Sequence, residues 1–149
     1  MDGTETARRH IAAIHRGIAN IAVLRAMETL PREQFVPHRH ADLAWRDIAL
    51  PIACGQTMPE PFLVARMVES LGLLGAHRVL EVGTGNGYST AILARIAAQR
   101  MNETWGQPVV VDNRPSGGGT LASGVVATAN PDGHTLLSVS AGHAVSAAL

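Results

Sequence analysis

Lysine is absent from this chain: all twelve basic residues are arginine, and twelve acidic residues balance them to a formal net charge of +0 with no basic cluster. Nucleic acid is therefore not an implied partner, because that role rests on a basic patch or stripe. Cysteine is nearly absent too. Cys54 stands alone, which excludes an internal disulfide and argues against a cysteine-based metal cluster. It reads as a small apolar side chain rather than a nucleophile. Aromatic residues make up 3% of the chain, and Trp45 and Trp105 read as packing residues with a polar handle, not as stacking platforms. No apolar stretch approaches the ~20 residues needed to cross a bilayer, and MDGTETARRH lacks the basic-then-apolar order of a secretory signal. A cytoplasmic location without membrane attachment is expected.

The 149 residues that remain to be explained are 46% hydrophobic. This suits one globular domain, which at such a size buries about two thirds of its unfolded surface. Ile11, Ile14, Ile18 and Ile21 recur at helical spacing with Gly17 as a break, and Asn20 is placed to cap a helix through Met27. Pro31 stops that helix. A loop-rich stretch follows, punctuated by Pro37, Pro51, Pro59 and Pro61. Pro61 suits the first turn of a helix whose apolar face holds Phe62, Ala65, Val68 and Leu71 and which ends near Gly72. A strand is expected from His77 to Val82, then a helix from Ser89 to about Thr104.

The run VLEVGTGNGY, Val79 to Tyr88, carries the most chemical information. An apolar strand ends in the carboxylate Glu81, and Gly83, Gly85 and Gly87 recur at every second position before the helix. Glycine there tolerates positive φ and leaves no Cβ to hold a ligand away from backbone N–H groups, and the helix N-terminus adds its dipole. Such a turn is also an ordinary strand-to-helix connection, so the glycines alone are weak evidence of nucleotide binding.

Further along, Val109 to Val111 are expected to form a short buried strand and Pro115 to Gly119 a turn. Thr120 begins a helix that stops at Asn130 and Pro131, Pro131-Asp132-Gly133 is a turn, and His134 to Ser140 alternates like a strand. Ile92, Ile96 and Met101 fall near one helical face, so a continuous helix is expected through the ARIAAQR-MNETWGQP region. His38 and His40 form an HRH triplet without further Cys or acidic neighbours, which reads as a solvated loop rather than a metal site. No metal is expected.

Two resemblances follow from these residues. VLRAMETLPREQFVP (Val23 to Pro37), DIALPIACGQTMPEPFLVARMVESL (Asp47 to Leu71) and VLEVGTGNGYSTAILARI (Val79 to Ile96) resemble, in order, blocks of the protein-L-isoaspartate O-methyltransferase family. That family transfers a methyl group from S-adenosylmethionine to the free α-carboxylate of isoaspartyl residues, beginning repair of damaged proteins. The resemblance covers about residues 18–98. From Gly106 to Leu149, the blocks QPVVVDNRP, GGGT and PDGHTLL instead resemble the early part of a Bug-type solute-binding receptor of tripartite tricarboxylate transport systems. Those receptors are periplasmic, two-lobed and close on small carboxylates.

The first resemblance implies S-adenosylmethionine as cofactor, held by Glu81, Gly83, Thr84, Gly85 and Gly87, with Glu81 accepting from the methionyl ammonium. It implies that Gln56 and Thr57, in a GQT segment, border the substrate carboxylate of isoaspartyl-containing proteins or peptides. Two residues after Thr57 the family has a hydroxyl-bearing Ser, whereas this chain has Pro59, which offers neither hydroxyl nor N–H. The family's next strand and its ribose-binding acid are replaced. Asp112 ends VVVD where such an acid belongs in nucleotide-binding α/β folds, although its separation from the glycine turn is longer than usual and strand termination is the default reading. The second resemblance implies carboxylate contacts at Gly118, Gly119, Ser140 and His143, which turn formation and helix capping also explain.

The expected fold is α/β: a partial Rossmann-like methyltransferase fold with a small, mostly parallel three-stranded sheet flanked by helices and an N-terminal helical region. Residues 1–98 form a truncated methyltransferase-like region with the glycine loop, and 99–149 a receptor-like strand–helix–strand fragment packed on the same sheet. The expected activity is isoaspartyl methylation, weak or lost because the site is incomplete. The alternatives are a small-carboxylate-binding receptor fragment or a fusion product without a complete site.

Overall fold

The structure, a computed structural model, describes residues 17–73, 79, 81, 85–112 and 120–136. Helix α1, Ile21–Glu28, starts where Asn20 leaves the extended region and its side chain accepts from the amides of Ala22 (3.0 Å) and Val23 (3.4 Å). This is the expected cap, and it satisfies donors that a helix start otherwise leaves bare. Val23, Leu24, Ala26 and Met27 are buried along the inner face.

After α1 the prolines replace regular helix by 3₁₀ turns at Arg32–Phe35, His38–Leu43 and Ala53–Gly55. A hairpin that sequence pattern did not reveal closes around the last turn: β1, Leu50–Pro51, pairs antiparallel with β2, Thr57–Met58, in the register Leu50 to Met58 and Pro51 to Thr57. Two residues per strand are too few for alternation to show in the sequence. Leu50 and Met58 are both buried, which fixes that register against slippage.

Helix α2, Pro61–Ser70, carries Pro61 in its first turn as expected. Its buried residues are Pro61, Val64, Ala65 and Val68, whereas Phe62 and Leu71 are exposed. The expected face was therefore offset by about one residue. The spacing i, i+3, i+4, i+7 beginning at Pro61 makes the continuous stripe, and Phe62 falls beside it. Helix α3, Tyr88–Trp105, ends at Gly106, whose φ of 64° and N–H to Asn102 O (2.9 Å) form a left-handed cap. It runs unbroken through residues 98–99 with Ile92 and Ile96 buried and Met101 half-buried. Helix α4 spans Thr120–Ala127, and beyond it Asp132 Oδ1 accepts from His134 N (2.9 Å) across a turn with Gly133 at φ 79°.

The core is the meeting of α1, α2 and α3 over the hairpin, centred on Met27, Leu30, Val64 and Ile92. Glu69 on α2 ties the entry of α1 by accepting from Ala19 N (2.7 Å) and Asn20 N (2.8 Å), while Arg66 reaches Glu69 (2.8 Å) and Gly17 O (3.3 Å).

The described residues do not form the expected three-stranded parallel sheet. Their sheet is the antiparallel pair β1–β2. Val109 to Val111 are not in a strand, and Val110 is 84% exposed. An apolar triplet becomes a buried strand only where a sheet face covers both its sides, and no such face meets Val110. His134 to Leu136 likewise lie outside any strand. Of the expected strand His77 to Val82, only Val79 and Glu81 are described and neither is in a strand; its other residues, and 137–140, lie outside the described residues.

Candidate functional site

The glycine turn enters α3 through Gly85 at φ 57° and Gly87 at φ 86°, with Gly87 as the cap residue. Both angles are in the left-handed region where a Cβ is strained, which is the physical reason for glycine at these positions. Between them, Asn86 fastens the turn to the rest of the molecule. Its Nδ2 donates to Phe35 O (2.6 Å) and lies 2.8 Å from Met58 Sδ, while its Oδ1 accepts from Tyr88 N (3.3 Å). Glu81, half-buried, accepts a hydrogen bond from the Thr90 hydroxyl in the first turn of α3.

Behind the turn lies a buried cation. Arg32, fully buried, donates to Ala44 O and to Pro59 O (2.7 Å), and its guanidinium carbon sits 5.5 Å from the centre of the Tyr88 ring. Burial lowers the Arg32 pKa, opposed by the fields of Tyr88, Asp47 and Glu60. Tyr88 meets Phe35 edge-on at 5.3 Å. Burial also pushes its hydroxyl up, so it remains a phenol at neutral pH, and that hydroxyl has no hydrogen-bond partner in the structure. Arg32 thus joins four segments of chain: the 3₁₀ turn that carries it, Ala44 after the next 3₁₀ turn, the segment after β2 at Pro59, and the start of α3.

A cleft of about 500 Å³ opens between the hairpin and the turn. Gln56, Thr57 and Pro59 line one wall, and Gly85, Asn86 and Ser89 the other. The fold therefore brings the expected substrate-side residues Gln56 and Thr57 to the same cavity as Gly85 of the expected cofactor turn. Asn86 and Ser89 were missed by sequence reasoning, although their position inside and just after GNGY was an available signal.

Other expected residues separate from this cleft. Asp112 is exposed, and the segment before it, through Val109 and Val111, lines a different cavity. Gly83, Thr84, Gly118, Gly119, Ser140 and His143 lie outside the described residues. His40 Nε2 accepts from Arg39 Nε (3.1 Å), and among the described residues no group of three or more His, Cys, Asp or Glu could hold a metal ion. Trp45 packs in the core with its indole N–H on Glu33 (3.0 Å), as expected, but Trp105 is exposed at the end of α3. Among the described residues no helix is long and apolar enough to cross a membrane.

Comparison with known proteins gives two family matches. Residues 10–112 match the model of protein-L-isoaspartate(D-aspartate) O-methyltransferase, and residues 93–148 match that of the tripartite tricarboxylate transporter family receptor. The two overlap across 93–112, which takes in most of α3 and the segment that follows it. Among curated relatives, protein-L-isoaspartate O-methyltransferase 2 of Rhodopseudomonas palustris (strain HaA2) is 59% identical over 81 residues, covering 54% of this chain and 37% of that protein. The protein-L-isoaspartate O-methyltransferase of Bradyrhizobium sp. (strain ORS 278) is 61% identical over 82 residues, covering 54% and 38%. That of Azorhizobium caulinodans is 56% identical over 84 residues, covering 56% and 39%. The chain thus spans less than two fifths of the length of these relatives.

Proposed function

The chain belongs to the protein-L-isoaspartate(D-aspartate) O-methyltransferase family, and from that premise we propose that it holds S-adenosylmethionine at the glycine turn and presents an isoaspartyl carboxylate to it from the hairpin. The observation that carries this reading is the shared cleft, with Gln56 and Thr57 facing Gly85 and Ser89 across about 500 Å³. The residues present suit the cofactor. Gly85 and Gly87 adopt positive φ and open the backbone to close approach, and a Cβ built at Gly87 meets nothing within 4 Å.

When bound, the cofactor supplies an electrophilic methyl group, which passes from the sulfonium to a carboxylate oxygen and leaves a methyl ester and a neutral thioether. The protein's part is alignment. Glu81, steadied by Thr90, would accept from the methionyl ammonium, and Gly85 and Gly87 would let the backbone approach that half of the cofactor, with Gly83 and Thr84 named for the same role by sequence alone; Gln56 and Thr57 would donate to the substrate carboxylate. Pro59 supplies no donor to the carboxylate, and its own carbonyl is used by Arg32. Losing one positioning donor lowers rate by orders of magnitude without changing the chemistry. The reading therefore favours binding over turnover. The family implies a Rossmann-like fold, in which the segment that carries Glu81 would lead into the glycine turn.

Two further parts of this reading rest on sequence. Isoaspartyl-containing proteins in the cytoplasm are the proposed partners, and the match over 93–148 supports, as a second reading, small-carboxylate binding through Gly118, Gly119, Ser140 and His143.

Calorimetric titration with S-adenosylmethionine tests the main reading. Binding is expected, weakened about tenfold or more by Gly85→Val, whose Cβ is strained at φ 57°. An absence of heat at millimolar cofactor would falsify it, and tritiated methyl transfer to an isoaspartyl peptide separates binding from turnover.

A further inference from the structure

A second cavity, of about 210 Å³, lies between α1 and α3 and is lined on one side by Val109 and Val111. Arg25, Arg95, Gln99 and Asn102 line it, and among the described residues no Asp or Glu does. Thr29 also reaches it, but its hydroxyl already donates to the carbonyls of Arg25 and Ala26.

The partners of the two guanidinium groups at this cavity differ from those of Arg32, Arg66 and Arg100. Arg66 pairs with Glu69 and Arg100 with Glu103, while Arg32 is bound to two carbonyls. Arg25 and Arg95 make no ion pair among the described residues. Arg95 is half-buried, and its Nε is buried with no hydrogen-bond partner in the structure. A buried donor left unmade costs the protein its lost hydration, and a guanidinium fork recovers it best from a planar or tetrahedral oxyanion. The amide of Asn102 and that of Gln99, whose Nε2 also donates to Glu103 Oε1 (3.2 Å), add neutral donors, and Val109 and Val111 line one side.

We propose that this cavity binds a small dianion, held by Arg95 and Arg25. It is a site made at the junction of the two family segments. Arg25 on α1 and Thr29 at its C-cap come from the region matched only by the methyltransferase model, whereas Arg95, Gln99, Asn102, Val109 and Val111 lie in the 93–112 overlap. The site is independent of the methyl-transfer cleft.

Thermal denaturation and calorimetry of the full chain test it, with inorganic phosphate and, separately, succinate, each against sodium chloride at matched ionic strength. Saturable binding of one probe is expected, and which probe binds tells a tetrahedral oxyanion site from a dicarboxylate site. Arg95→Gln is expected to abolish binding and Arg25→Gln to weaken it about tenfold, as loss of a charge-assisted pair does. Arg25 is exposed, so Arg25→Gln keeps the question open to measurement if Arg95→Gln does not fold. Thr57→Ala, on the other cleft, leaves anion binding unchanged. Stabilisation that merely follows ionic strength, affinity unaltered in Arg25→Gln, or binding lost in Thr57→Ala would each overturn the proposal.

Discussion

Residues 18–98 and residues 106–136 are both rich in apolar side chains, yet the first stretch holds a core and the second, among its described residues, holds none. In the first, α1, α2 and α3 turn their apolar stripes toward one another, and Met27, Leu30, Val64 and Ile92 lose all contact with solvent. In the second, α4 reads TLASGVVA but leaves Leu121 51% and Val125 41% exposed, and Val110 and Leu136 are more exposed still. Apolar composition sets how much surface is available for burial; a matching face decides whether burial happens. The methyltransferase segment brings its own matching faces. The receptor-like segment joins it through the shared helix α3 and contributes Val109 and Val111 to a cleft, not a strand to a sheet.

That contrast can be broken most directly at Arg32. Arg32→Met fills a similar volume but strips donors from Ala44 O and Pro59 O, and a loss of about 2–4 kcal/mol in urea denaturation is expected from two carbonyls left buried. A loss under about 0.5 kcal/mol would mean the carbonyls find other donors, and the polar hub would not organise the core.

A smaller effect is expected from acid. The amide of Asn20 chiefly lowers the pKa of Glu69, opposed by some desolvation and helped by Ala19 N and by Arg66. A carboxylate depressed in the folded state contributes stability above its unfolded value, near 4.5, and that stability is lost as pH falls through the folded value. Melting temperature should therefore fall on acidification below about pH 4.5 with a limb that flattens in Glu69→Gln, and an identical limb in the variant would remove Glu69 from the account.

The smallest effect belongs to the tail. Leu121→Ser on the outer face of α4 is expected to change stability by less than about 0.5 kcal/mol. A loss of several kcal/mol would reveal a face that covers α4 and would erase the difference between the two regions.

Legibility followed the range of the interaction. Asn20, Pro61 and the turn at Asp132 and Gly133 act on neighbours a few residues away, and each was readable as a cap, a helix start or a turn. The continuity of α3 across the junction was readable too, and in the structure the buried Ile92 and Ile96 before it and the half-buried Met101 after it belong to one helix. The two-residue strands of the hairpin were not, being too short for a period. Asn86 could be noticed as the residue between two glycines, but its bonds to Phe35 and Met58 span 51 and 28 residues of sequence, and no local pattern contains them.

The sequence by itself determined the helix starts and the positive-φ glycines of the turn, because capping, proline geometry and positive φ are properties of a residue and its immediate neighbours. It also determined the family, since the blocks around Gln56 and Gly85 stand in order along the chain. Tertiary structure alone decided that Gln56 and Thr57 face Gly85 across one cleft, that Arg32 is wholly buried without a carboxylate partner, and that Val110 lies in water. The reason is that burial and site geometry depend on which surfaces meet, and a period along one segment specifies a face without specifying its partner.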